Sequence, residues 1–296
     1  MPWQASLQSL GELSQHESMA AHTTLAVGGA ATWYFKPQDK KYLCQALALI
    51  PTSITILPLG RGSNLLVPEH GFDGMVVDLG LLNSIQVFNH TLTAEAGSRM
   101  SKIAQTAANA GLSGLEFMAT VPGDLGGGIA MNAGAFGQQV SDTCLHATIV
   151  HRNGREEILN KQQLQMRYRH SQIPKQSIIT SASFELQTGE QQEIRDAMRD
   201  MRQKRSQTQP LALANCGSVF KNPEGDYAAR LIEASGLKGK VIGGAQISEV
   251  HANFIVNHGN ACSDDITALI QLAQQSVFEK FAVKLETEVR ILEAMQ

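Results

Sequence analysis

The feature that most constrains the fold is a glycine-rich stretch in the middle of the chain. Six glycines fall within residues 123–137, with apolar residues interspersed among them. Glycine weakens helices and strands because it loses the most conformational freedom on folding, whereas a flexible linker would not carry so many apolar side chains. The pattern therefore predicts irregular backbone packed flat against a large ligand, with N–H groups directed at a pyrophosphate.

A second glycine-rich segment, residues 59–67 (LGRGSNLLV), lies before it. Leu65 stands where a dinucleotide-binding G-x-G-x-x-G motif has its third glycine, and no long helix is predicted after it, so a Rossmann site is disfavoured. The phosphate-binding pattern G-x-x-x-x-G-K-[ST] is missing as well. By itself this segment indicates a tight turn. Two glycine-rich loops together favour the binding of a large ligand.

The composition argues against several classes of protein. The chain of 296 residues has 24 Lys+Arg and 27 Asp+Glu, a net charge of −3, which leaves no basic surplus for nucleic acid. No window approaches 18 apolar residues, and the N-terminus has neither a basic leader nor an apolar run, so we expect no membrane contact and a cytoplasmic location. The four cysteines never form C-x-x-C and no histidine motif stands out. We therefore expect neither disulfides nor a metal site.

Short strands and helices follow one another without a regular βαβα order, which favours an α+β fold over a doubly wound sheet. We expect a loose N-terminus, a hairpin with a type I′ turn at Asn153-Gly154, and a domain boundary at or before the irregular segment 206–215. The helices are predicted at residues 39–50, 101–110 (with Ser101 as its cap), 190–205, 227–235 and 264–281. The strands are predicted at residues 32–36, 54–57, 65–67, 75–78, 84–88, 91–96, 146–151, 156–159, 178–186, near Val219, 252–256 and 283–292.

Three further segments carry side chains that could do chemistry. Residues 215–223 combine a hydroxyl, a cation and two amides, which offers a proton donor beside anion-binding groups, although chance clustering explains them equally well. Arg169 follows a tyrosine and suits a carboxylate or phosphate, but a solvated basic patch is the commoner case. Residues 285–290 alternate like a strand, so Glu286 and Glu288 would share one face with Arg290. An exposed strand face accounts for that pattern as well.

Nine motifs, in this order along the chain, resemble those of one family, the UDP-N-acetylenolpyruvoylglucosamine reductases (MurB) of bacterial peptidoglycan synthesis. The resemblance covers residues 22–290, and it is closest to the second, more compact subtype of the family, because the spacing from Pro223 to Gly243 is short. The motifs are residues 60–67 (GRGSNLLV), 114–117 (GLEF), 121–123 (VPG), 131–134 (MNAG), 168–171 (YRHS), 217–223 (GSVFKNP), 243–248 (GGAQIS), 251–253 (HAN) and 285–290 (LETEVR).

The resemblance implies a two-part FAD-binding domain of the vanillyl-alcohol-oxidase (PCMH) type and a C-terminal α+β substrate-binding domain. It implies an N-terminal segment at 1–21, an FAD domain at 22–189 with subdomains at about 22–75 and 76–189, and a substrate domain at 190–296. FAD is expected to be bound non-covalently, with NADPH as co-substrate. The residues implied to bind FAD are Gly60, Arg61, Gly62, Ser63, Asn64, Leu65, Val121, Pro122, Gly123, Gly127, Gly128, Asn132 and Gly134.

By the same resemblance, the catalytic residues are Arg169, Ser218 and Glu288. Ser218 would protonate C2 of an enolpyruvyl group after hydride transfer to C3, while Arg169 and Glu288 stabilise the enolate-like species between the two steps. Residues implied to bind the substrate are Tyr168, Lys221, Asn222 and His251. We expect small-molecule partners only and a monomeric chain. The alternatives are another FAD-linked oxidoreductase of this fold, or a flavin-binding relative without turnover.

Two positions depart from the family pattern. Ala26 stands where an arginine is usual before the first glycine pair, and Asp124 stands where a threonine or serine is common. A carboxylate directed at a pyrophosphate would repel it. We therefore expect Asp124 to point away from the ligand.

Overall fold

Short strands and helices occupy most of residues 2–292, the part of the chain that the computed structural model describes. The helices are α1 Pro2–Gln8, α2 Lys40–Leu49, α3 Met100–Asn109, α4 Leu125–Ala130, α5 Val140–Thr143, α6 Lys161–Leu164, α7 Gln191–Thr208, α8 Ala228–Ala234 and α9 Ser263–Phe281. The strands are β1 Gly11–Ser18, β2 Ala30–Pro37, β3 Ile56–Leu59, β4 Leu65–Leu66, β5 Phe72–Asp78, β6 Ile85–Phe88, β7 Thr91–Glu95, β8 Leu112–Ser113, β9 Gly134–Ala135, β10 Gln138–Gln139, β11 Cys144–His151, β12 Glu156–Asn160, β13 Ser177–Glu185, β14 Gln187–Thr188, β15 Ala214–Asn215, β16 Val241–Ile242, β17 Ala245–Ile247, β18 Ile255–Asn257 and β19 Arg290–Ile291.

The chain divides into two compact units, each assembled from separate stretches of sequence. Unit 1 contains the residues up to Gln15, then Trp33–Gly60 and Gly74–Lys204. Unit 2 contains His16–Thr32, Arg61–Asp73 and the chain from Arg205 onward. The first glycine-rich loop therefore groups, from Arg61 on, with the C-terminal third of the sequence. The contiguous FAD and substrate domains, at 22–189 and 190–296, stay a prediction about which ligand each part binds.

Unit 1 is organised around a five-stranded antiparallel sheet in the order β12-β11-β13-β7-β6. The central strand β13 alternates buried and exposed positions only weakly, because helices and loops cover much of it. A second sheet has the order β1-β2-β5-β3, with β3 and β5 parallel. Helix α2 begins at Asp39, whose carboxylate accepts a hydrogen bond from the N–H of Tyr42. Two apolar clusters fill the unit, one around Phe117 and Phe184 and one around Phe35 and Leu47.

Unit 2 has a four-stranded sheet, β15-β18-β17-β16, covered by α8 and α9. Its core includes Phe220, Leu231, Leu269 and Val289. Asp265 shapes one corner of this unit: its carboxylate accepts hydrogen bonds from the N–H groups of Cys262 and Gly244, which holds the pKa of Asp265 below its usual value.

Most predicted helices and several predicted strands are confirmed, with ends shifted by a few residues. The hairpin at residues 146–159 is confirmed too, but its turn is not type I′. Gly154 has a φ of 80°, whereas Asn153 is not left-handed. Ser101 lies inside α3 rather than at its cap, which is Arg99. Within residues 2–292 no helix combines the length and apolar character that crossing a bilayer requires.

Four further expectations about local structure were wrong. The N-terminus is not loose, because Leu7 and Leu10 are buried in the core with Phe35 and anchor α1. The segment 206–215 is not wholly irregular, since α7 continues to Thr208 and β15 begins at Ala214. No strand forms at Val219. The predicted strand 283–292 is reduced to β19, because the chain there pairs with two different neighbours in turn.

The glycine-rich stretch also differs from expectation, since Gly126, Gly127 and Gly128 lie in the short helix α4. Packing accounts for two of these glycines. A Cβ at Gly126 would lie 3.2 Å from the Cβ of Ala96, and one at Gly128 would lie 2.8 Å from the sulfur of Met100. The helix can therefore approach α3 and the end of β7 only without these side chains.

Candidate active site

Ser218 lies in a short extended segment, residues 217–221, that runs between two other parts of unit 2. On one side the N–H of Val219 donates to the carbonyl of Asn253 at 2.9 Å. On the other side the N–H of Lys221 donates to the carbonyl of Glu286, also at 2.9 Å. Gly217 precedes the segment with a φ of 78°, a conformation that favours glycine. Ser218 itself is half-buried.

Glu288 lies against the same segment. Its N–H donates to the carbonyl of Val219 at 2.8 Å, and the N–H of Val289 donates to that carbonyl at 3.2 Å. Thr287 forms a bridge to Phe220. Backbone hydrogen bonds thus place Glu288 beside Val219, the residue next to Ser218. The prediction that Glu286 and Glu288 share one strand face does not survive, because no continuous strand forms and Glu286 extends into solvent with 77% of its side chain exposed.

The pKa of the Cys216 thiol reflects the burial and the negative charge at this site. Its side chain is buried, and burial raises the pKa of the thiol to about 12, with a further contribution from the negative charge of Glu288. Cys216 is therefore a neutral thiol at physiological pH, which makes it a packing residue rather than a nucleophile.

The first glycine loop meets the Glu288 segment directly. The amide of Asn64 donates to the carbonyl of Glu288 at 3.0 Å, and the N–H of Arg290 donates to the carbonyl of Asn64 at 3.1 Å. Next to them β4 and β19 pair in parallel, with Leu65 opposite Arg290. Gly62 is left-handed, with a φ of 58°, and a Cβ there would lie 2.3 Å from the carbonyl oxygen of His22. The loop predicted to hold FAD is thus locked in place beside a predicted catalytic residue.

Arg169 lies in unit 1, in a tight turn that residues 167–170 close on themselves. Arg167 and His170 exchange backbone hydrogen bonds at 2.9 and 3.0 Å, which leaves Tyr168 and Arg169 at the tip. Arg169 has a φ of 53°, which is strained for a side chain of this size. Its guanidinium donates to the carbonyl of Gly134 at 3.2 Å and lies 5.0 Å from the centre of the Tyr168 ring, in cation–π range.

In the second glycine-rich segment, some residues predicted to bind FAD make contacts within the protein that explain them, and others do not. Asn132 is fully buried, and its amide bonds to Gln139, Ser141 and the carbonyl of Arg167. Its side chain therefore serves the fold. Gly134 permits the close approach of β10, since a Cβ there would lie 2.5 Å from the carbonyl oxygen of Gln138. Gly123 has a φ of 98°.

Gly127 has no such internal explanation. No atom lies within 4 Å of the position of a Cβ at Gly127, and its φ is not one that requires glycine. A glycine inside a helix costs about 1 kcal/mol relative to alanine. An exposed backbone surface at this position is what a flat ligand would need. The N–H groups of Leu125 and Gly126, by contrast, donate to the carbonyls of Ser98 and Ala96 and are not directed at an anion.

Asp124 lies against Gly60, and its direction relative to a bound ligand stays a prediction. It is 8% exposed, and a Cβ at Gly60 would be 2.8 Å from its Oδ2 atom. Pro122 is exposed and Val121 is half-exposed beside it. In unit 2, Arg61 is exposed and Ser63 is half-buried.

Of the residues predicted to bind substrate, three lie in unit 2 near Ser218. Lys221 makes an ion pair of 3.3 Å with Glu286, and the side-chain oxygen of Asn222 accepts a hydrogen bond from the N–H of Ala228 at the start of α8. His251 accepts a hydrogen bond from the N–H of Asn253 at Nδ1, at 3.3 Å. Burial lowers the pKa of His251 below 6.5, so the ring is neutral near pH 7 and carries its proton on Nε2.

The structure groups the predicted residues by unit. Ser218, Glu288, Asn64, Lys221 and His251 come together in unit 2. Arg61, Gly62, Ser63, Leu65 and Asn222 belong to unit 2 as well, whereas Arg169, Tyr168, Gly60 and the segment 121–134 belong to unit 1. No cluster of three or more metal-ligating side chains occurs within the described range 2–292.

One residue of this region, Asn253, was not among the predicted site residues. It was part of a motif but had no role assigned to it. The signal was present, because a lone amide within the apolar run 252–256 is costly unless it is hydrogen-bonded.

Comparison with known proteins identifies first the class and then the family. A family model described as an FAD binding domain matches residues 11–160. The model of the UDP-N-acetylenolpyruvoylglucosamine reductase C-terminal domain matches residues 209–292. The chain is therefore an FAD-dependent oxidoreductase with an α+β, PCMH-type fold. Phl p 4.0202, a glucose dehydrogenase, shares that fold at 14% identity, with a TM-score of 0.50 over 64% of this chain and 45% of its own.

Two nearer relatives settle the family. The UDP-N-acetylenolpyruvoylglucosamine reductase of Magnetococcus marinus is 44% identical over 280 residues, which is 93% of this chain and 90% of the relative. The crystal structure of MurB from Thermus caldophilus matches with a TM-score of 0.82 and 32% identity, over 96% of this chain and 99% of its own. This chain belongs to the UDP-N-acetylenolpyruvoylglucosamine reductase family.

Proposed function

We propose that this protein reduces UDP-N-acetylenolpyruvoylglucosamine to UDP-N-acetylmuramate, a step of peptidoglycan precursor synthesis, with NADPH as the source of hydride. The relatives named above are reductases of this substrate. The observation that carries the proposal is the junction in unit 2, where Glu288 is hydrogen-bonded through its backbone to Val219, next to Ser218. A hydroxyl and a carboxylate on hydrogen-bonded neighbouring segments suit the protonation of a carbon.

The residues predicted to bind the cofactor fit FAD. The exposed backbone at Gly127 offers a surface without side chains, and the loop at residues 61–65 is anchored beside Glu288. Residues 60–65 and 121–128 would contact the cofactor, with Gly127 among them, whereas the side chain of Asn132 serves the fold. Bound FAD supplies two-electron hydride transfer between nicotinamide and substrate.

The protein's own side chains handle the proton and the charge. The product gains hydride at C3 and a proton at C2 of the enolpyruvyl group. Ser218 donates that proton from its hydroxyl, and it regains one from solvent. Arg169 offers a planar fork of donors to the substrate carboxylate, where negative charge develops, and Glu288 polarises the same group.

The nucleotide part of the substrate is assigned to cationic and donor groups nearby. Lys221 binds a phosphate by exchanging its exposed partner Glu286 for the ligand, because such a surface ion pair is weak. His251 donates from Nε2, and Tyr168 offers the aromatic face that is half-exposed beside Arg169. We also propose that the enzyme is a cytoplasmic monomer.

Flavin absorbance tests the proposal in one anaerobic cuvette. NADPH should bleach the colour of the holoenzyme, and UDP-N-acetylenolpyruvoylglucosamine should then restore it. Bleaching without recovery would reject the substrate and favour another FAD-linked oxidoreductase of the same fold. A protein that binds FAD but is not bleached would be the flavin-binding relative without turnover.

A further inference from the structure

Asn253 is a buried side chain whose every polar group is engaged, and all of its partners belong to the segment that carries Ser218. It is 3% exposed. Its side-chain oxygen accepts from the N–H of Phe220 at 2.9 Å, and its side-chain nitrogen donates to the carbonyl of the same residue at 2.8 Å. These two hydrogen bonds resemble the pairing with a neighbouring strand, and they fix the orientation of the Phe220 peptide groups.

The backbone of Asn253 extends the same connection. Its carbonyl accepts from the N–H of Val219, and its N–H donates to Nδ1 of His251. The carbonyl of Val219 in turn accepts from the N–H of Glu288. One residue therefore contacts the backbone on the C-terminal side of Ser218, the backbone before Lys221, and the ring of His251, and it reaches Glu288 through a single intervening residue.

The amide of Asn253 serves the stability of the fold, because an apolar residue at this position would leave the N–H and the carbonyl of Phe220 without these partners. Stability is not its only contribution. What the amide adds is geometry, because two hydrogen bonds to one residue allow one orientation of the segment. A well-oriented proton donor needs that restriction, since a displacement of 1 Å can cost about 100-fold in rate.

We propose that Asn253 is a positioning residue, which sets the Ser218–Lys221 segment against Glu288 and orients His251. The effect of Asn253 on catalysis rests on the proposed function. Its role in positioning the Ser218–Lys221 segment rests on the geometry alone. Loss of the amide frees the Phe220 peptide, so Ser218 and Glu288 lose their fixed spacing while the FAD loop keeps its own contacts.

The chain offers a matched control in Asn257. It is also buried, at 4% exposed, and its amide is also fully used, in hydrogen bonds to Leu25, Gly259 and Ala261. It lies on the same run of chain but touches none of the predicted catalytic or binding residues. Asn257→Ala therefore reproduces the loss of a buried amide without disturbing the Ser218 segment.

Two measurements on the holoenzyme test the inference. Hydrogen exchange should accelerate at least tenfold in residues 218–221 and 286–289 of Asn253→Ala, but not in Asn257→Ala. Anaerobic kinetics should show reoxidation by UDP-N-acetylenolpyruvoylglucosamine slowed by about 10- to 100-fold in Asn253→Ala, with bleaching by NADPH unchanged. Asn253→Asp keeps the acceptor for Phe220 and should give intermediate values, and it replaces Asn253→Ala if that variant does not fold.

The outcomes separate the two claims. The inference would be overturned if hydrogen exchange were equally fast in Asn253→Ala and Asn257→Ala, or if the two variants were reoxidised by the substrate at the same rate. As long as the wild-type enzyme turns over, the proposed function would still stand. A wild-type enzyme that is bleached but never reoxidised by this substrate would overturn both. A slowing of both half-reactions to the same extent would make Asn253 a general structural residue and would also overturn the inference.

Discussion

Two short segments carry the predicted proton donor and the predicted cation, and they are held in opposite ways. The Arg169 turn is closed by hydrogen bonds between residues 167 and 170, three positions apart. The Ser218 segment is held by Asn253 and Glu288, which lie 35 and 70 positions away from it in the sequence. The first geometry is local and strained, whereas the second depends on the whole of unit 2.

This difference indicates which substitutions would disturb each of the two segments. A local turn can be altered at its own residues with little effect elsewhere, because its hydrogen bonds close within four residues. A segment held by distant partners has no preferred position until those partners are folded. The strain at Arg169 is therefore confined to its own turn. The position of Ser218 depends on packing and hydrogen bonds that also stabilise unit 2.

The largest expected effect is that of Ser218→Ala. Removal of the hydroxyl should slow reoxidation of the flavin by the substrate by about 10²- to 10⁴-fold, the usual contribution of a general acid, because no proton donor remains for C2. Bleaching by NADPH should be nearly unchanged. Stopped-flow absorbance measures both steps, with Ser235→Ala, a hydroxyl that donates within α8, as the control. Equal slowing of the two steps would contradict the role of Ser218.

Arg169→Gly should separate function from stability. Glycine accepts a φ of 53° without strain, so the free energy of unfolding should stay within about 1 kcal/mol of wild type or rise. Turnover should fall by about 10²- to 10³-fold, because the donors to the substrate carboxylate are gone. The control is Gln165→Gly, an exposed left-handed position at the end of α6, which should change stability alone. A loss of more than about 2 kcal/mol in Arg169→Gly would show that the side chain holds the turn.

The glycines of α4 carry the same contrast within one helix. Gly127→Ala should raise the free energy of unfolding of the flavin-free protein by about 1 kcal/mol, and it should weaken FAD binding by about tenfold or more, because a methyl group would stand where the cofactor lies. Gly128→Ala should instead lower stability by about 1–3 kcal/mol through its clash with Met100. Chemical denaturation and FAD fluorescence titration measure the two quantities. Unchanged FAD affinity in Gly127→Ala would remove Gly127 from the site.

The smallest effect concerns pH. Since burial lowers the pKa of His251 below 6.5, the unfolded chain takes up a proton there more readily than the folded one. The stability that neutral His251 contributes is present above about pH 6.5 and is lost as the pH falls through its folded pKa. His251→Gln should flatten the fall in melting temperature between neutral and acidic pH. His90→Gln, at an exposed position of unit 1, should leave the slope as it is, and identical slopes in all three proteins would contradict the assignment.

Much of the local structure could be predicted from the sequence. The helix predicted at residues 39–50 is α2, and Asn153-Gly154 indicated a hairpin that forms. The predictions failed where distant contacts decide. Ala96 and Met100 crowd the side-chain positions of Gly126 and Gly128 in α4, which the sequence pattern does not show. The last strand breaks up because residues 287 and 290 pair with different partners.

The motifs by themselves indicated the family and the cofactor, because chemistry depends on residue type and order along the chain, and they also gave the catalytic residues that stay predictions. Only the tertiary structure decided that Asn132 serves the fold, that Gly127 faces open space, and that Asn253 holds the Ser218 segment. The physical reason is that a hydrogen bond or a close contact joins residues that are far apart in sequence, and its partners are defined only when the chain has folded.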